Sequence, residues 1–234
     1  IVRAYIGEGV DIDAGNVTVM ATAPVMKAEA KTLTISIAGI ASGSDITAVA
    51  TVSGLVEAFI GAQADDDANG SGIVTDIDVN NHAVHVISDA VMEAIAQTDG
   101  GGFSGALDIS LVEPSAIVDG TGRAYVRDGV NMDANSLIIS AGDLAGDGLG
   151  DDRFRVHADA QSFVLNFAVL GTGQGANALA DASGVIEAFV GAASGRVGGG
   201  PEDAVLDING DITVTARSDI DAFANTDGGG ASVK

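Results

Sequence analysis

The chain has 234 residues, with 33 acidic side chains against 10 Lys or Arg and a formal net charge of −23. This charge excludes a general affinity for nucleic acids or anionic membranes, because both bind through basic patches. Cysteine is absent, which excludes disulfides, thiolate metal sites and cysteine nucleophiles. Hydrophobic residues make up 47% of the chain, so intrinsic disorder is not expected, and the 33 glycines predict many tight turns.

Apolar and polar residues alternate with a period of two along almost the whole chain. The clearest segments are residues 2–6, 17–23, 33–37 and 46–52. Such alternation is typical of half-buried β-strands. Residues 89–97 have a weak helical pattern, but their counterpart at 219–224 alternates, so both segments are predicted as strands.

The strands belong to tandem repeats. Residues 26–62 align without a gap to residues 156–192, and Thr98–Gly102 recurs as Thr226–Gly230. A shorter unit recurs within each half, as Arg3-Ala4-Tyr5, Glu57-Ala58-Phe59, Arg123-Ala124-Tyr125 and Glu187-Ala188-Phe189. These repetitions predict two tandem halves, about residues 1–120 and 121–234, each built from repeats of about 60 residues.

Many short strands in repeats, with small inward residues, predict an all-β fold, a right-handed parallel β-solenoid that occupies residues 1–234 as one segment. At about 20–25 residues per coil, each repeat is expected to hold two or three coils, which gives a rod of roughly ten rungs stacked about 4.8 Å apart. A sandwich or barrel is the alternative, but neither explains tandem repeats with turns of variable length. Because the sequence opens within a strand pattern, we expect a fragment of a longer chain.

One stretch carries a resemblance to a known family. Residues 4–7, Ala-Tyr-Ile-Gly, and residues 10–21, Val-Asp-Ile-Asp-Ala-Gly-Asn-Val-Thr-Val-Met-Ala, resemble the repeat of giant filamentous adhesins of the haemagglutinin and leukotoxin-like type. The likeness covers nearly the whole chain. It implies a secreted bacterial protein, extracellular or at the cell surface, that works in adhesion or in a fibre. The acidic insertion Asp143–Asp152, and Arg127 in the place of a repeat glycine, depart from this pattern.

Catalytic motifs are absent from the sequence. There is no Gly-x-Ser-x-Gly elbow, no His-Glu-x-x-His helix and no Walker-type phosphate loop, so we expect no enzymatic activity. His82 and His85 fall on opposite faces of a strand, which does not favour a metal site. A carbohydrate-active β-helix enzyme is an alternative, and it would need a groove in which acids converge with Arg or Lys.

Two acidic loops are candidate calcium sites. Ca²⁺ prefers six to eight oxygen ligands on a flexible loop, and carboxylates and glycine carbonyls supply them. The candidate ligands are Asp65, Asp66, Asp67, Asp147, Asp151 and Asp152. Bound calcium would make the chain a calcium-dependent surface-layer module, whereas the competing interpretation is two solvated acidic turns that hold no ion.

The recurring aromatic position predicts an interaction face. If Val2, Ala4 and Ile6 point inward, Arg3 and Tyr5 share the opposite face of the strand. The same reasoning assembles a face of Arg3, Tyr5, Glu57, Phe59, Arg123, Tyr125, Glu187 and Phe189. One interpretation is that a flanking segment covers this face. The other is a lateral contact surface, where the alternating charges set the register with a neighbouring rod.

Together these features predict a structural, non-catalytic segment of an extracellular bacterial filamentous adhesin or cell-surface fibre. The expected partner is the chain itself, through end-to-end or lateral contacts, or flanking repeats of the same chain. A surface glycan or another cell is a further candidate partner. Nucleic acid binding and membrane insertion are not expected, and no cofactor other than calcium is suggested.

Overall fold

A computed structural model of the chain describes residues 1–63, 73–142, 154–191 and 203–232. Within these ranges the chain is all-β and contains no helix. The strands are β1 (Val2–Ile6), β2 (Asp11–Asp13), β3 (Val17–Ala38), β4 (Ala41–Ile60), β5 (Thr75–Asp78), β6 (Ala83–Ser104), β7 (Leu107–Val126), β8 (Val130–Ala134), β9 (Ser136–Ala141), β10 (Phe154–Ala168), β11 (Gly171–Ala176), β12 (Leu179–Val190), β13 (Val205–Ile208), β14 (Ile212–Ala216) and β15 (Ser218–Ser232). The strand predictions for residues 89–97 and 219–224 are confirmed, because they lie in β6 and β15.

The strands form three parallel sheets. Sheet 1 holds β1, β4, β7, β11 and β12; sheet 2 holds β3, β6, β9, β10, β14 and β15; and sheet 3 holds the short strands β2, β5, β8 and β13. Every strand pairing among the described residues is parallel. The chain passes repeatedly through sheets 3, 2 and 1 in that order, an arrangement that is compatible with a β-solenoid.

Strands that neighbour each other in a sheet are one whole repeat apart in sequence. Arg3 pairs with Glu57, Glu57 with Arg123, and Arg123 with Glu187. The expectation of about 20–25 residues per coil is therefore wrong, because each passage through the three sheets consumes a full repeat. The cause is strand length, since β3 and β6 each run for 22 residues. The longest ladders among the described residues are four residues deep, and we number these positions as layers one to four.

The core lies mainly between sheets 1 and 2, which pack face to face, and sheet 3 contributes buried side chains such as Ile77 and Met132. Its inward positions carry mainly Ala and Val, such as Ala94, Ala124 and Val156, all fully buried. One large side chain, Phe154, also fits, because Gly120 and Gly122 stand opposite its ring. A Cβ at Gly122 would lie 2.4 Å from Phe154 Cε2, so glycine is required there by space rather than by a turn.

Near the bends at residues 39–40, 105–106 and 169–170, the polar side chains of sheets 1 and 2 mostly point inward and large apolar side chains point outward. We call residues 32–46, 98–112 and 162–176 the turn end and the remainder of sheets 1 and 2 the core region. The interior of the turn end is mainly polar, with a small apolar cluster of Ile46, Val112 and Val164. Its inward polar residues are Ser36, Ser42, Ser44, Asp108, Ser110 and Asn166. Its outer surface exposes large apolar side chains, including Leu33, Ile35, Ile37, Phe103, Phe163, Leu165 and Phe167.

Candidate functional site: stacked aromatic and charge ladders

The four recurring aromatic residues form one continuous stack. Register pairing of β1, β4, β7 and β12 places Tyr5, Phe59, Tyr125 and Phe189 side by side. Successive ring centroids are 5.1, 5.0 and 4.8 Å apart, with interplanar angles of 8°, 0° and 2°. The spacing follows from the strand separation of about 4.8 Å, which brings equivalent side chains to stacking distance. Aromatic pairs of this kind contribute roughly 0.5–1.5 kcal/mol each beyond the burial of their surface.

The inner rings of the stack are buried and the first ring is not. Tyr125 is 0% exposed and Phe59 is 4% exposed, whereas Tyr5 in the first layer is 63% exposed. Phe189 in the last layer packs against the buried pair. The stack is therefore an internal contact between layers at its centre and an open surface at the Tyr5 end.

A ladder of alternating charge runs beside the rings. Arg3 Nε donates to Glu57 Oε2 at 2.7 Å, and Arg123 Nε donates to Glu187 Oε2 at 3.1 Å. Arg123 Nη1 also lies 3.5 Å from Glu57 Oε1, so the buried Glu57 carboxylate is held between two arginines. Opposite charges at paired positions stabilise adjacent strands, whereas like charges would destabilise them.

The structure thus brings all eight residues of the predicted interaction face together within one chain. The alternating charges form ion pairs between successive layers of the same chain. Contact with a neighbouring rod stays a prediction. The inner members Glu57, Phe59 and Tyr125 are buried, so any such contact would rest mainly on Arg3 and Tyr5.

The alternation extends to other ladders, a signal that our sequence analysis missed. The ladder Lys27, Glu93, His157 and Asp221 repeats the pattern of base and acid, with Lys27 Nζ 3.1 Å from Glu93 Oε2 and His157 Nδ1 3.5 Å from Asp221 Oδ2. Two further ladders are Leu33, Asp99, Phe163, Asp227 and Ile35, Gly101, Leu165, Gly229. Layers one and three are basic or bulky at these positions, and layers two and four are acidic or glycine. The alignment of residues 26–62 with 156–192 already contained this two-layer period.

One shallow pocket combines acids with basic groups on the outer face of sheet 2. Glu93, Arg155, His157, Asp219 and Asp221 line it, and its volume is about 520 Å³. These residue types are those expected for the carbohydrate-active alternative. Among the described residues, however, no group of three or more His, Asp or Glu side chains is arranged to hold a metal ion.

The candidate calcium ligands Asp65, Asp66, Asp67, Asp147, Asp151 and Asp152 lie outside the described residues, as does the insertion Asp143–Asp152. Sheet 3 carries a different acidic feature. Asp13, Asp78, Asp133 and Asp207 are in register and exposed, which places like charges on adjacent strands. Arg127 lies next to the bend at Gly61, and its Nε and Nη1 are buried without a hydrogen-bond partner among the described residues.

A buried carboxylate in the turn end was also missed from the sequence. Asp108 is fully buried; its Oδ1 accepts a hydrogen bond from Ser42 Oγ at 2.6 Å, and its Oδ2 has no hydrogen-bond partner among the described residues. The carboxylate lies directly over Gly102, where a Cβ would be 1.8 Å from Oδ2. A detectable signal is the glycine run at residues 100–102, which lies inside β6 and not in a turn.

No helix in the described part of the chain is long and apolar enough to span a membrane. Comparison with known proteins found no matching family model, no matching curated protein and no matching solved structure.

Proposed function

We propose that the chain is a right-handed parallel β-solenoid segment of an extracellular bacterial filamentous adhesin or cell-surface fibre, and that its role is structural and not catalytic. The observation that supports this most is the in-register ladder of rings and alternating charges, which repeats once per passage through the sheets. Such a unit stabilises itself by stacking on further copies, which is the property of a repeat array.

The dimensions make this proposal specific. A strand of 22 residues spans up to about 70 Å, while four layers rise only about 15–20 Å along the stacking axis. A fibre of such units would be a ribbon whose width is the strand length. A single copy of this segment would therefore be a flat plate and not the rod that was expected from the sequence.

Electron microscopy of the purified chain, with fibre diffraction, tests the structural role. We expect ribbons or plates about 70 Å wide and a reflection near 4.8 Å along the stacking axis. Compact particles without this reflection would contradict the proposal.

The carbohydrate-active alternative rests on the pocket of Glu93, Arg155, His157, Asp219 and Asp221. Incubation of the chain with acidic and neutral bacterial polysaccharides, followed by analysis of chain length, decides it. Cleavage that is lost in Glu93→Gln would contradict the structural proposal, and intact polysaccharides would remove the alternative.

The calcium-dependent surface-layer alternative predicts a different result. Thermal unfolding in calcium and in chelator should then differ by several degrees, because a ligand that binds only the native state stabilises it. Equal midpoints would favour solvated acidic turns.

A further inference from the structure

Both ends of the layer stack present strand edges that are paired on one side only among the described residues. At the first layer these edges belong to β1, β2, β3 and residues 41–55 of β4, and at the last layer to β11, β12, β13, β14 and β15. An open edge offers a row of backbone donors and acceptors to another strand. Which partner these edges bind is inferred below, and the inference rests on the proposed structural function.

The two edges carry opposite charge in the ladders of Arg3 and Lys27, whereas in sheet 3 both edges carry an aspartate, Asp13 and Asp207. The first layer presents Arg3 and Lys27, whose side chains are 30% and 38% exposed. The last layer presents Glu187 and Asp221, whose side chains are 24% and 69% exposed. In the chain itself, each interface between layers already joins a base to an acid in these two ladders.

We infer that the last layer binds the first layer of a second copy of this chain, with Glu187 and Asp221 of one copy beside Arg3 and Lys27 of the next. This order continues both alternating ladders. Contact between two first layers, or between two last layers, would pair the strands antiparallel, so neither ladder of alternating base and acid would continue. The charge pattern therefore selects one polarity, head to tail.

Shape at the edges agrees with this polarity. The exposed ring of Tyr5 would stack on Phe189 of the preceding copy, at the spacing that already separates Tyr125 from Phe189. In the outer ladders, Ile35 would lie beside Gly229, as Leu165 lies beside Gly101 and Gly229 within the chain. At the contact between copies, as within the chain, a bulky side chain would thus lie beside a glycine.

The contact is complete in sheets 2 and 3 but not in sheet 1. By continuation of the register, β3 of the arriving copy pairs with β14 and β15, and β1 pairs with the end of β12. The edge over residues 171–185 lies one layer short of the arriving β4, so a space one strand wide stays between the two copies there. This space belongs to a layer that would carry a base in the Arg3 ladder, as layers one and three do, so the segment of the chain that fits it is residues 107–121 of β7 in layer three. A synthetic peptide of that sequence should fill the space and strengthen the contact.

Sedimentation velocity of charge-swapped variants tests the inference. We expect the wild-type chain to associate with increasing concentration, and the peptide of residues 107–121 to promote this association. Lys27→Glu and Asp221→Lys should each weaken association about tenfold, because each places like charges at the contact. Mixing the two variants, or combining both substitutions in one chain, should restore association, since the acid and the base then meet again.

Asp119→Lys is the matched control, because Asp119 is exposed on an inner strand and the change in net charge equals that of Asp221→Lys. The inference is overturned if the wild-type chain stays monomeric with and without the peptide. Equal behaviour of Asp119→Lys and Asp221→Lys, or no restoration on mixing, also overturns it. These results leave the proposed function standing as a spacer in one long chain, whereas polysaccharide cleavage or the absence of the 4.8 Å reflection would remove that function whatever the association state.

Discussion

The core region and the turn end share the same strands but place their polar residues on opposite sides. On β10, Phe154 points into the core region and is 0% exposed, whereas Phe163 lies on the outer surface of the turn end and is 41% exposed. On β7, the inward positions change from Asp108 and Ser110 to Ala116 and Val118. The comparison teaches that alternation identifies a strand but does not identify which of its faces is the interior.

The two phenylalanines of β10 give the largest expected difference. Phe154→Ala should lower the free energy of unfolding by about 3–5 kcal/mol, because it leaves a cavity opposite Gly120 and Gly122. Phe163→Ala should lower it by only about 1–1.5 kcal/mol, since the side chain is already partly hydrated and its loss leaves no closed cavity. Urea unfolding of both variants measures the contrast. Equal losses would mean that the outer surface of the turn end is packed in the native protein.

The outer face of β4 allows a second contrast, between Glu57 beside the buried rings and Asp45 at the turn end. Glu57→Gln should cost about 2–3 kcal/mol, because it leaves Arg3 and Arg123 facing a neutral group; their partial hydration keeps the loss below that of a fully buried pair. Asp45→Asn should cost less than about 0.5 kcal/mol, since Asp45 is exposed. Thermal unfolding distinguishes them, and a neutral Glu57→Gln would show that the charge ladder does not stabilise the layers.

The interior of β7 sharpens the comparison through two substitutions to the same residue. Asp108→Ser should stabilise the chain by about 1–2 kcal/mol, because it removes a buried oxygen without a partner and leaves Ser beside Ser42. Ala116→Ser, in the core region of the same strand, should destabilise it by about 1–3 kcal/mol, since the new hydroxyl is buried among apolar groups. Shifts of the same sign in chemical denaturation would contradict the reversed polarity.

The acidic ladder of sheet 3 belongs to neither region and should give a smaller effect. Asp133→Asn should stabilise the chain by about 0.5 kcal/mol in low salt, because it interrupts the row of like charges between Asp78 and Asp207. The gain should shrink as salt screens the row. Asp119→Asn is the control, since its ladder neighbours are Ser53 and Ser183. A gain that is equal in both variants would assign the effect to net charge alone.

The smallest expected effect concerns Glu29 on the exposed edge strand β3. The hydrogen bond and charge of Lys31, with a lesser contribution from Lys27, lower the pKa of the Glu29 carboxyl. Its stabilising contribution is therefore present above the pKa of the unfolded chain and is lost as the pH falls through the lower pKa of the folded chain. Carboxyl chemical shifts should show the pKa of Glu29 rising towards its ordinary value in Lys31→Gln, and less so in Lys27→Gln. No change in Lys31→Gln would contradict the ion pair.

Most of the secondary structure was predictable from the sequence, because period-two alternation is a local property of each strand. The number of residues in one coil was not predictable from this alternation. Glycine was interpreted as a turn signal, but Gly102 lies within β6 where the Asp108 carboxylate fills the space above it, and Gly120 and Gly122 lie within β7 opposite Phe154. At those positions glycine leaves room for side chains of the facing sheet. The eight residues of the ladder could be listed from the repeat alone, but their burial depends on packing across whole layers, which no local pattern encodes.

The unusual strand length has a mechanical consequence. Adjacent layers are joined along β3 and β6 from Val17 to Ala38, and along β4 and β7 from Ala41 to Ile60. Tension applied along the stacking axis would act on all of these backbone hydrogen bonds at once, whereas a narrow coil would present only a few. A filament built this way gains little reach from each repeat, because one layer adds about 4.8 Å. In such a filament, the residues of each repeat would strengthen the contact between layers more than they would lengthen the filament.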